Sequence, residues 1–325
     1  DMTLTKIVFM QNLSSEVATL IKDQARKNMD VLLVDHQASK EFQISSLDQT
    51  EFLILYAQTL SDEVLRSAHR LKFIQLLSAG YDQLNVELMK ELGIQCANNG
   101  GANSWAVSDH AVLLMLSLYR KLVVSDTSTR IGSWNKPIDG TNTFELANKK
   151  VGILGIGRIG KQVARRVQGF DAEVQYYDKY PLSKEEDTEL NVTSVGLEDL
   201  FRSSDVITCH TSLSPDTHHI VSREMLGMMK PNSILINTSR GDVVDEDALI
   251  EALEDKRISG AGLDVFEQEP IAQGNRLLNM ENVVVTPHSA GTTWDTWFRR
   301  ANFAYENISR MMNGLDPISV VNKHT

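Results

Sequence analysis

The chain has 325 residues, of which 42% are hydrophobic and 23% charged, and its formal net charge is −11 at pH 7. This length corresponds to about two domains, and the composition is that of a globular protein with a sizeable core. The acidic balance leaves no broad basic field for a polyphosphate backbone, so we exclude nucleic acid as a partner. An anionic small molecule would have to be bound by a few local arginines.

Two features predict a cytoplasmic location without membrane contact. Cys96 and Cys209 lie far apart and without metal-like spacing, which indicates buried thiols in a reducing compartment rather than a disulfide framework. No apolar run approaches the length that spans a bilayer.

Short apolar β-runs alternate with helical patterns along the first hundred residues. We predict strands at 4–10, 30–34, 52–56, 73–77 and 94–97, and helices at 16–27, 62–68 and 86–92. This alternation is typical of a parallel sheet that helices cover on both faces. Loops at the carboxyl ends of such strands form a natural ligand crevice, and Ser78, Ala79 and Gly80 lie on one of these loops.

The next segment differs in kind. Residues 103–122 predict one long, nearly all-apolar helix with no sheet strand beside it, which should be buried between layers or domains. Residues 123–149 predict a helix end followed by a loop.

Beyond residue 150 the alternation resumes. The predicted elements are strands at 151–154, 173–177, 205–210, 233–237, 261–265 and 283–286, helices at 158–168, 222–229 and 245–255, and a last helix at 294–313. We expect the last helix to cross back onto the first domain. The predicted fold class is α/β, with two doubly wound parallel-sheet domains.

The stretch from Val151 to Asp178 carries a dinucleotide-binding pattern of strand, glycine turn, helix, strand and acid. Gly155 permits the tight turn, Gly157 lets the backbone approach a pyrophosphate, and Gly160 allows close packing of helix on strand. The helix that begins near Arg158 offers free N–H groups to the phosphates. Asp178 is spaced to accept hydrogen bonds from ribose hydroxyls and to repel a 2′-phosphate, which favours NAD over NADP.

Three later segments each end a strand with a reactive side chain. These are Arg240 in INTSRGD, Asp264 and Glu269 in GAGLDVFEQEP, and His288 in VVVTPHSAG. Because parallel strands share one carboxyl edge, we expect these side chains to converge where the nicotinamide end of a cofactor should lie.

Their chemistry fits hydride transfer coupled to proton transfer on a 2-oxo acid. His288 would donate the proton to the carbonyl oxygen, and Glu269 would pair with it and orient it. Arg240 would hold the substrate carboxylate, backbone N–H groups near Ala79 and Gly80 would hold its other side, and Asp264 would contact the carboxamide or steady the nicotinamide ring. Singly, Arg240, Glu269 and His288 could each be ordinary loop residues; their combination after a dinucleotide unit supports the catalytic interpretation.

The glycine motif and the blocks INTSRGDVVDEDALIEAL, GAGLDVFEQEP and TPHSAG occur together in one order and spacing. With them the chain resembles the D-isomer-specific 2-hydroxyacid dehydrogenase family over nearly its whole length. The resemblance implies Arg240, Glu269 and His288 as the catalytic set. It also implies a flavodoxin-like substrate domain of residues 1–100 plus 293–325, a Rossmann-type NAD-binding domain of residues 101–292, and a homodimer through the NAD-binding domain.

The complete predicted site uses NAD as cofactor and a small 2-oxo or 2-hydroxy acid as substrate. The residues predicted to bind the cofactor are Gly155, Gly157, Arg158, Ile159, Gly160, Asp178, His210, Thr238, Ser239, Asp264, His288 and Gly291. The residues predicted to bind substrate are Ser78, Ala79, Gly80, Arg240 and His288.

The chain departs from some relatives in informative ways. Ser212 stands where the family usually has proline, and YAQTLSDE lacks the arginine of phosphoglycerate-type members. Ala79 replaces the lysine of phosphite-oxidising relatives, and Glu269 argues against formate oxidation. The alternative functions are an NAD-sensing corepressor-like binding protein and a phosphite- or formate-type dehydrogenase.

Six other side chains have either two possible interpretations or a structural one. Trp134 either reaches a neighbouring subunit's pocket or lies in the core. His110, next to Asp109 on a helix, is interpreted as structural because adjacent helical residues do not face each other. His218 and His219 lack further ligands at zinc spacing, so we predict no metal. Arg299 and Arg300 either touch substrate or solvate the outer face of the last helix, and we favour solvation.

Overall fold

The computed structural model describes residues 4–48, 50–57, 59–134 and 140–322. The described chain forms two compact units. The first unit runs to Asn103 and resumes at Thr292, and the second unit spans Ser104–Gly291.

The first unit holds one parallel sheet. Its strands are β1 (Thr5–Gln11), β2 (Met29–Asp35), β3 (Phe52–Tyr56), β4 (Phe73–Leu76) and β5 (Gln95–Ala97). Its helices are α1 (Ser15–Asp23), α2 (Lys40–Leu47), α3 (Asp62–Ser67), α4 (Val86–Glu91) and α12 (Trp294–Met312). The strand order β2-β1-β3-β4-β5 is that of a flavodoxin-like sheet.

Apolar residues fill both faces of this sheet. Along β1, Ile7 and Phe9 enter one buried cluster, whereas Val8 and Met10 enter the other. Successive strand residues point to opposite faces, so a strand that is buried on both sides reads as a continuous apolar run. α12 covers the Ile7 face with Trp297 and Tyr305, so the last helix packs on the first sheet as expected.

The second unit holds a seven-stranded parallel sheet. Its strands are β6 (Lys150–Leu154), β7 (Glu173–Tyr177), β8 (Thr193–Ser194), β9 (Val206–Cys209), β10 (Ile234–Asn237), β11 (Gly260–Leu263) and β12 (Val283–Val285). Its helices are α5 (Ser104–Tyr119), α6 (Leu122–Arg130), α7 (Arg158–Gln168), α8 (Lys184–Leu190), α9 (Leu197–Ser203), α10 (Arg223–Met228) and α11 (Glu246–Glu254).

The order of this sheet is β12-β11-β10-β9-β6-β7-β8, which is the order of a doubly wound dinucleotide-binding fold extended by one strand. The chain winds outward from β6 through β7 and β8, then returns to β6's other side with β9. The reversal lies between β6 and β9, and ligands of such sheets bind at the carboxyl ends of the strands on either side of it. The predicted α/β class with two doubly wound sheets is confirmed.

Helix α5 differs from its prediction. It ends at Tyr119, and it packs on β10, β11, β12 and α7, so the expectation of a helix without strands beside it was wrong. The reason is the glycine-rich strand β11: a Cβ on Gly262 would lie 2.9 Å from the Cβ of Leu114, so the missing side chain lets α5 approach the sheet. Its opposite face is open, with Leu113 half-exposed.

Candidate active site

The glycine turn between β6 and α7 has the geometry that a dinucleotide requires. Gly155 has φ of 96°, a left-handed conformation that favours glycine. A Cβ on Gly160 would lie 2.2 Å from the carbonyl oxygen of Gly155, so this glycine allows the helix to press against the turn. Among the residues that the structure describes, none apart from the chain neighbours of Gly157 has a heavy atom within 4 Å of its Cβ position, so the N-terminus of α7 has room for a diphosphate.

Arg158 and Ile159 begin α7. Arg158 is exposed, and Ile159 is partly buried against the apolar cluster that contains Ile153. At the start of α7, the polar Arg158 is therefore exposed and the apolar Ile159 packs against the core.

Asp178, just past β7, is fixed at the same turn. One carboxylate oxygen accepts the Ile156 N–H at 2.9 Å and the other accepts the Tyr180 N–H at 2.9 Å. The carboxylate therefore ties the glycine turn to the end of β7, which is the place predicted for the ribose acid.

His210 follows β9 beside the glycine turn. Its Nε2 lies 2.7 Å from the Thr208 hydroxyl and its Nδ1 lies 3.4 Å from the Thr238 hydroxyl. Burial lowers the pKa of His210 from 6.5 to about 3, so its imidazole stays neutral. Its backbone closes over Gly155, since a Cβ there would lie 2.9 Å from the His210 carbonyl carbon.

Thr238, Ser239 and Arg240 follow β10. Asn237 organises this turn, because its side chain accepts the Ser239 N–H at 3.0 Å and donates to the Arg240 carbonyl at 2.9 Å. Arg240 Nη1 donates to the Ser239 carbonyl at 2.7 Å, and the Arg240 side chain is partly exposed.

Glu269 and His288, which the sequence predicts to pair, lie 2.6 Å apart through Glu269 Oε2 and His288 Nδ1. Half-burial works to raise the pKa of Glu269, but the His288 contact, the Phe266 N–H and the positive charge of Arg240 outweigh it and hold that pKa below 4.5. Glu269 is therefore an anion at neutral pH, and it contacts the Nδ1 nitrogen of the His288 imidazole.

Asp264 and Thr286 hold the loop that carries His288, and the role of Thr286 was not predicted from the sequence. Asp264 is buried and accepts the Ser289 N–H, the Ala290 N–H and, at 2.5 Å, the Thr286 hydroxyl. His288 itself has φ of 52°, and its N–H donates to the Asp264 carbonyl at 2.8 Å. The Asp264 carboxylate thus holds the loop that carries His288.

His110 completes this network from α5. Its Nε2 lies 2.9 Å from the Thr286 hydroxyl and 3.7 Å from Asp264. Asp109 instead pairs with Arg166, so the adjacent acid and histidine do not face each other, as predicted. No local pattern could reveal the link between His110 and Thr286, because it joins distant parts of the chain.

These residues share one edge of the second sheet. Gly155, Asp178, His210, Arg240, Asp264 and His288 follow β6, β7, β9, β10, β11 and β12 respectively. Gly291 ends the second unit just beyond this edge.

The predicted substrate loop lies in the first unit, after β4. The Ser78 hydroxyl donates to the Gly80 carbonyl at 2.8 Å, and Asn98 donates to the Ala79 carbonyl at 3.1 Å. In both bonds a backbone carbonyl oxygen of the loop is the acceptor, and the loop residues are partly exposed.

Two of the open alternatives are decided by exposure. Trp134 is 78% exposed, so it is not a core residue. Arg300 is only 4% exposed and lies against the Trp297 and Tyr56 rings, at 4.7 and 5.7 Å from their centres, so the expectation that it solvates the outer helix face was wrong. Arg299 donates to the Ala102 carbonyl at 2.9 Å.

Two further findings bear on ligands and membranes. His218, His219 and Asp242 form a group of side chains that could bind a metal ion within the part of the chain that the structure describes. The premise that the two histidines lack a further ligand was therefore wrong, because the fold brings Asp242 to them from a distant segment. None of the helices in the described ranges is both long and apolar enough to cross a membrane.

The profile described as "D-isomer specific 2-hydroxyacid dehydrogenase, NAD binding domain" matches residues 112–290. The chain belongs to the D-isomer specific 2-hydroxyacid dehydrogenase family. A glyoxylate reductase of Korarchaeum cryptofilum is 35% identical over 309 residues, which cover 94% of this chain and 92% of that protein. As a member of this family, the chain is an NAD-dependent oxidoreductase of 2-oxo and 2-hydroxy acids.

Solved structures of other proteins support the same family fold. The apo D-mandelate dehydrogenase of Rhodotorula graminis superposes with a TM-score of 0.87 at 26% identity, covering 99% of each chain. An acyclic imino acid reductase in complex with NADPH and D-Arg has a TM-score of 0.83 at 27% identity, covering 98% of this chain and 100% of that one.

Proposed function

We propose that this dehydrogenase reduces a small 2-oxo acid to its D-2-hydroxy acid, with His288 as the proton donor. The observation that carries the proposal is the 2.6 Å contact between Glu269 and His288 at the carboxyl edge of the NAD-binding sheet. A carboxylate at one imidazole nitrogen stabilises the imidazolium form, which is the form that can donate a proton near neutral pH. When bound, NADH supplies the hydride that the substrate carbon receives.

Side chains of the protein supply the proton and bind the substrate. His288 gives a proton to the carbonyl oxygen as that oxygen becomes a hydroxyl, and in the reverse direction it takes the proton back. Glu269 keeps the ring oriented and offsets its charge, while Asp264 and Thr286 position the loop that bears it. Arg240 binds the substrate carboxylate through its planar fork and polarises the carbonyl.

We assign the remaining roles by unit. The first unit binds substrate through backbone N–H groups of Ser78, Ala79 and Gly80. The second unit binds the cofactor through the glycine turn, Asp178, His210, Thr238, Ser239 and Gly291. Asp178 sits where ribose hydroxyls would lie, so we propose a preference for NADH over NADPH.

We further propose that the protein is a cytoplasmic homodimer joined through α5 and α6. Trp105 and Leu113 on α5, Leu122, Val123 and Val124 on α6, and Ile131 and Trp134 beyond it are all at least 42% exposed. Water contact of so many large apolar side chains is unfavourable, and a second copy presents a matching apolar surface. Light scattering of wild type and of Val123→Lys should give a dimer and a monomer respectively; a monomeric wild type would refute this interface.

The function is tested by following loss of NADH absorbance with a panel of 2-oxo acids from glyoxylate to phenylpyruvate, repeated with NADPH. We expect rapid turnover of at least one acid with NADH and slower turnover with NADPH. Phosphite and formate, offered with NAD, should give none. If NADH binds and no oxo acid is reduced, the NAD-sensing alternative replaces this proposal, and a preference for NADPH would refute the role of Asp178.

A further inference from the structure

A second cluster of chemically active side chains lies outside the proposed active site. His218 and His219, in the loop between β9 and α10, stack with ring centres 4.0 Å apart. Asp242 lies in the short turn after Arg240, and one nitrogen from each ring and one carboxylate oxygen of Asp242 lie within 4.8 Å of one another. Two imidazoles and a carboxylate are the ligands that zinc and similar transition metals prefer.

Backbone pairing holds the two segments together. The His219 N–H donates to the Asp242 carbonyl at 2.8 Å, and Val221 forms a parallel bridge with Val244. His219 has φ of 51°, a conformation uncommon for a residue with a Cβ. The backbone pairing therefore brings His219 next to Asp242.

A third segment supplies an outer carboxylate. Glu267 Oε1 lies 2.8 Å from His219 Nε2 and also accepts the Glu246 N–H at 3.1 Å. The Glu267 N–H in turn donates to the Glu246 side chain at 3.1 Å. In metal sites a carboxylate at the second nitrogen of a histidine ligand fixes the ring and raises its basicity. Glu267 is placed to act in this way when His219 binds a metal through Nδ1.

We propose that His218, His219 and Asp242 bind a divalent transition-metal ion of the zinc type, with Glu267 as the orienting carboxylate and water completing the coordination. Zinc–nitrogen bonds of about 2.0 Å place tetrahedral ligand atoms roughly 3.3 Å apart, so the side chains must move closer on binding. His218 is exposed and can rotate to do so. The overall charge of −11 favours cation binding.

The site would couple to the dehydrogenase chemistry through short connections. Asp242 lies just after Arg240, and Glu267 lies just before Glu269. Between them, a Cβ on Gly241 would fall 2.0 Å from the backbone of Phe266, so the two segments are in direct contact. A bound ion would fix both segments, and we expect it to change KM for the 2-oxo acid; this part rests on the proposed function, whereas the metal binding does not.

The direct test is calorimetric titration of the full chain with Zn²⁺ after removal of metals with a chelator. We expect one ion per chain for wild type. His218→Ala and Asp242→Asn each remove a ligand and should weaken binding by more than about tenfold, and Glu267→Gln by about tenfold. Cobalt, used as a spectroscopic probe, should give a visible absorption band that His218→Ala abolishes.

The matched control is His69→Ala, which removes another exposed imidazole. Its zinc affinity should equal that of wild type. His218→Ala should unfold at the wild-type temperature without metal, because its ring is exposed. Absence of saturable binding at one ion per chain, or equal affinity of wild type, His218→Ala and Asp242→Asn, would overturn the proposal whether or not the chain reduces 2-oxo acids.

Discussion

The contact between Glu269 and His288 concentrates the proposed chemistry in one pair of side chains. A carboxylate with a lowered pKa remains charged throughout the neutral range, so it favours the protonated ring that a reductase must use. The same contact fixes which imidazole nitrogen is left for the substrate. Orientation and charge are therefore supplied by a single residue.

Replacing Glu269 with glutamine separates those two effects. Glu269→Gln keeps a hydrogen-bonding group but removes the charge, so we expect kcat for 2-oxo acid reduction to fall by about a hundredfold at neutral pH. Steady-state kinetics at neutral pH measures this loss.

The exposed Glu281, changed to glutamine, is the matched control and should behave as wild type. Wild-type kcat in Glu269→Gln would contradict the assigned role of the carboxylate.

His210 predicts a pH dependence of stability. The pKa of His210 is about 3 in the folded chain and near 6.5 in the unfolded chain. Between these two pH values the unfolded state binds a proton that the folded state does not bind. Stability is therefore lost as pH falls from 6.5 toward 3, by about 2 kcal/mol at pH 5. Urea unfolding should show His210→Gln losing less stability than wild type between pH 7 and pH 5. Equal losses would contradict the buried neutral state, and the exposed His69→Gln should match wild type.

At the scale of elements, the glycines in the turn from β6 into α7 have different roles. Gly160 serves packing, because any Cβ there would collide with the Gly155 carbonyl at 2.2 Å. Gly157 has no packing neighbour within 4 Å of its Cβ position among the described residues, so we expect its role to be cofactor binding. Stability and cofactor affinity should therefore respond differently at the two positions.

Alanine substitutions test this division. Gly160→Ala should lower the free energy of unfolding by roughly 1–3 kcal/mol because the helix must shift. Gly157→Ala should leave unfolding nearly unchanged and weaken NADH binding, since the new methyl group occupies phosphate space. Thermal unfolding and NADH fluorescence titration measure the two effects. Wild-type NADH affinity in Gly157→Ala would show that the diphosphate does not lie at this turn.

The sequence predicts elements well where their apolar residues carry a clear period. β3, α7 and β7 have the predicted bounds, because β3 is a continuous apolar run, α7 carries a helical stripe that ends before Gly169, and β7 ends before Asp178. α2 was missed because its apolar residues do not share a face: Phe42 is 50% exposed while Gln43 is buried. α6, rich in serine, threonine and valine, lacks both helix propensity and a buried stripe.

α8 was missed for a different reason. It is almost entirely charged and buries only Leu190, so it has no apolar period to detect. The capping box formed by Ser183 and Glu186 was the signal that could have found it.

At the scale of the whole molecule, strand order determines which distant residues meet. Arg240, Asp264 and His288 could be expected at one edge from the rule that parallel strands share their carboxyl ends. The network of Asp264 with Thr286 and His110, and the meeting of His219 with Asp242, depend on side-chain positions that no local pattern specifies. Sequence therefore predicts the edge of the site better than the contacts that hold it.

The most direct test of the account compares wild type with His288→Asn in a single turnover of bound NADH with the best 2-oxo acid of the panel, alongside NADH affinity. We predict that hydride transfer slows by about 10²- to 10⁴-fold while NADH affinity stays close to wild type, because the ring supplies the proton and the glycine turn holds the cofactor. Turnover at the wild-type rate in His288→Asn would contradict the assignment of His288 as proton donor.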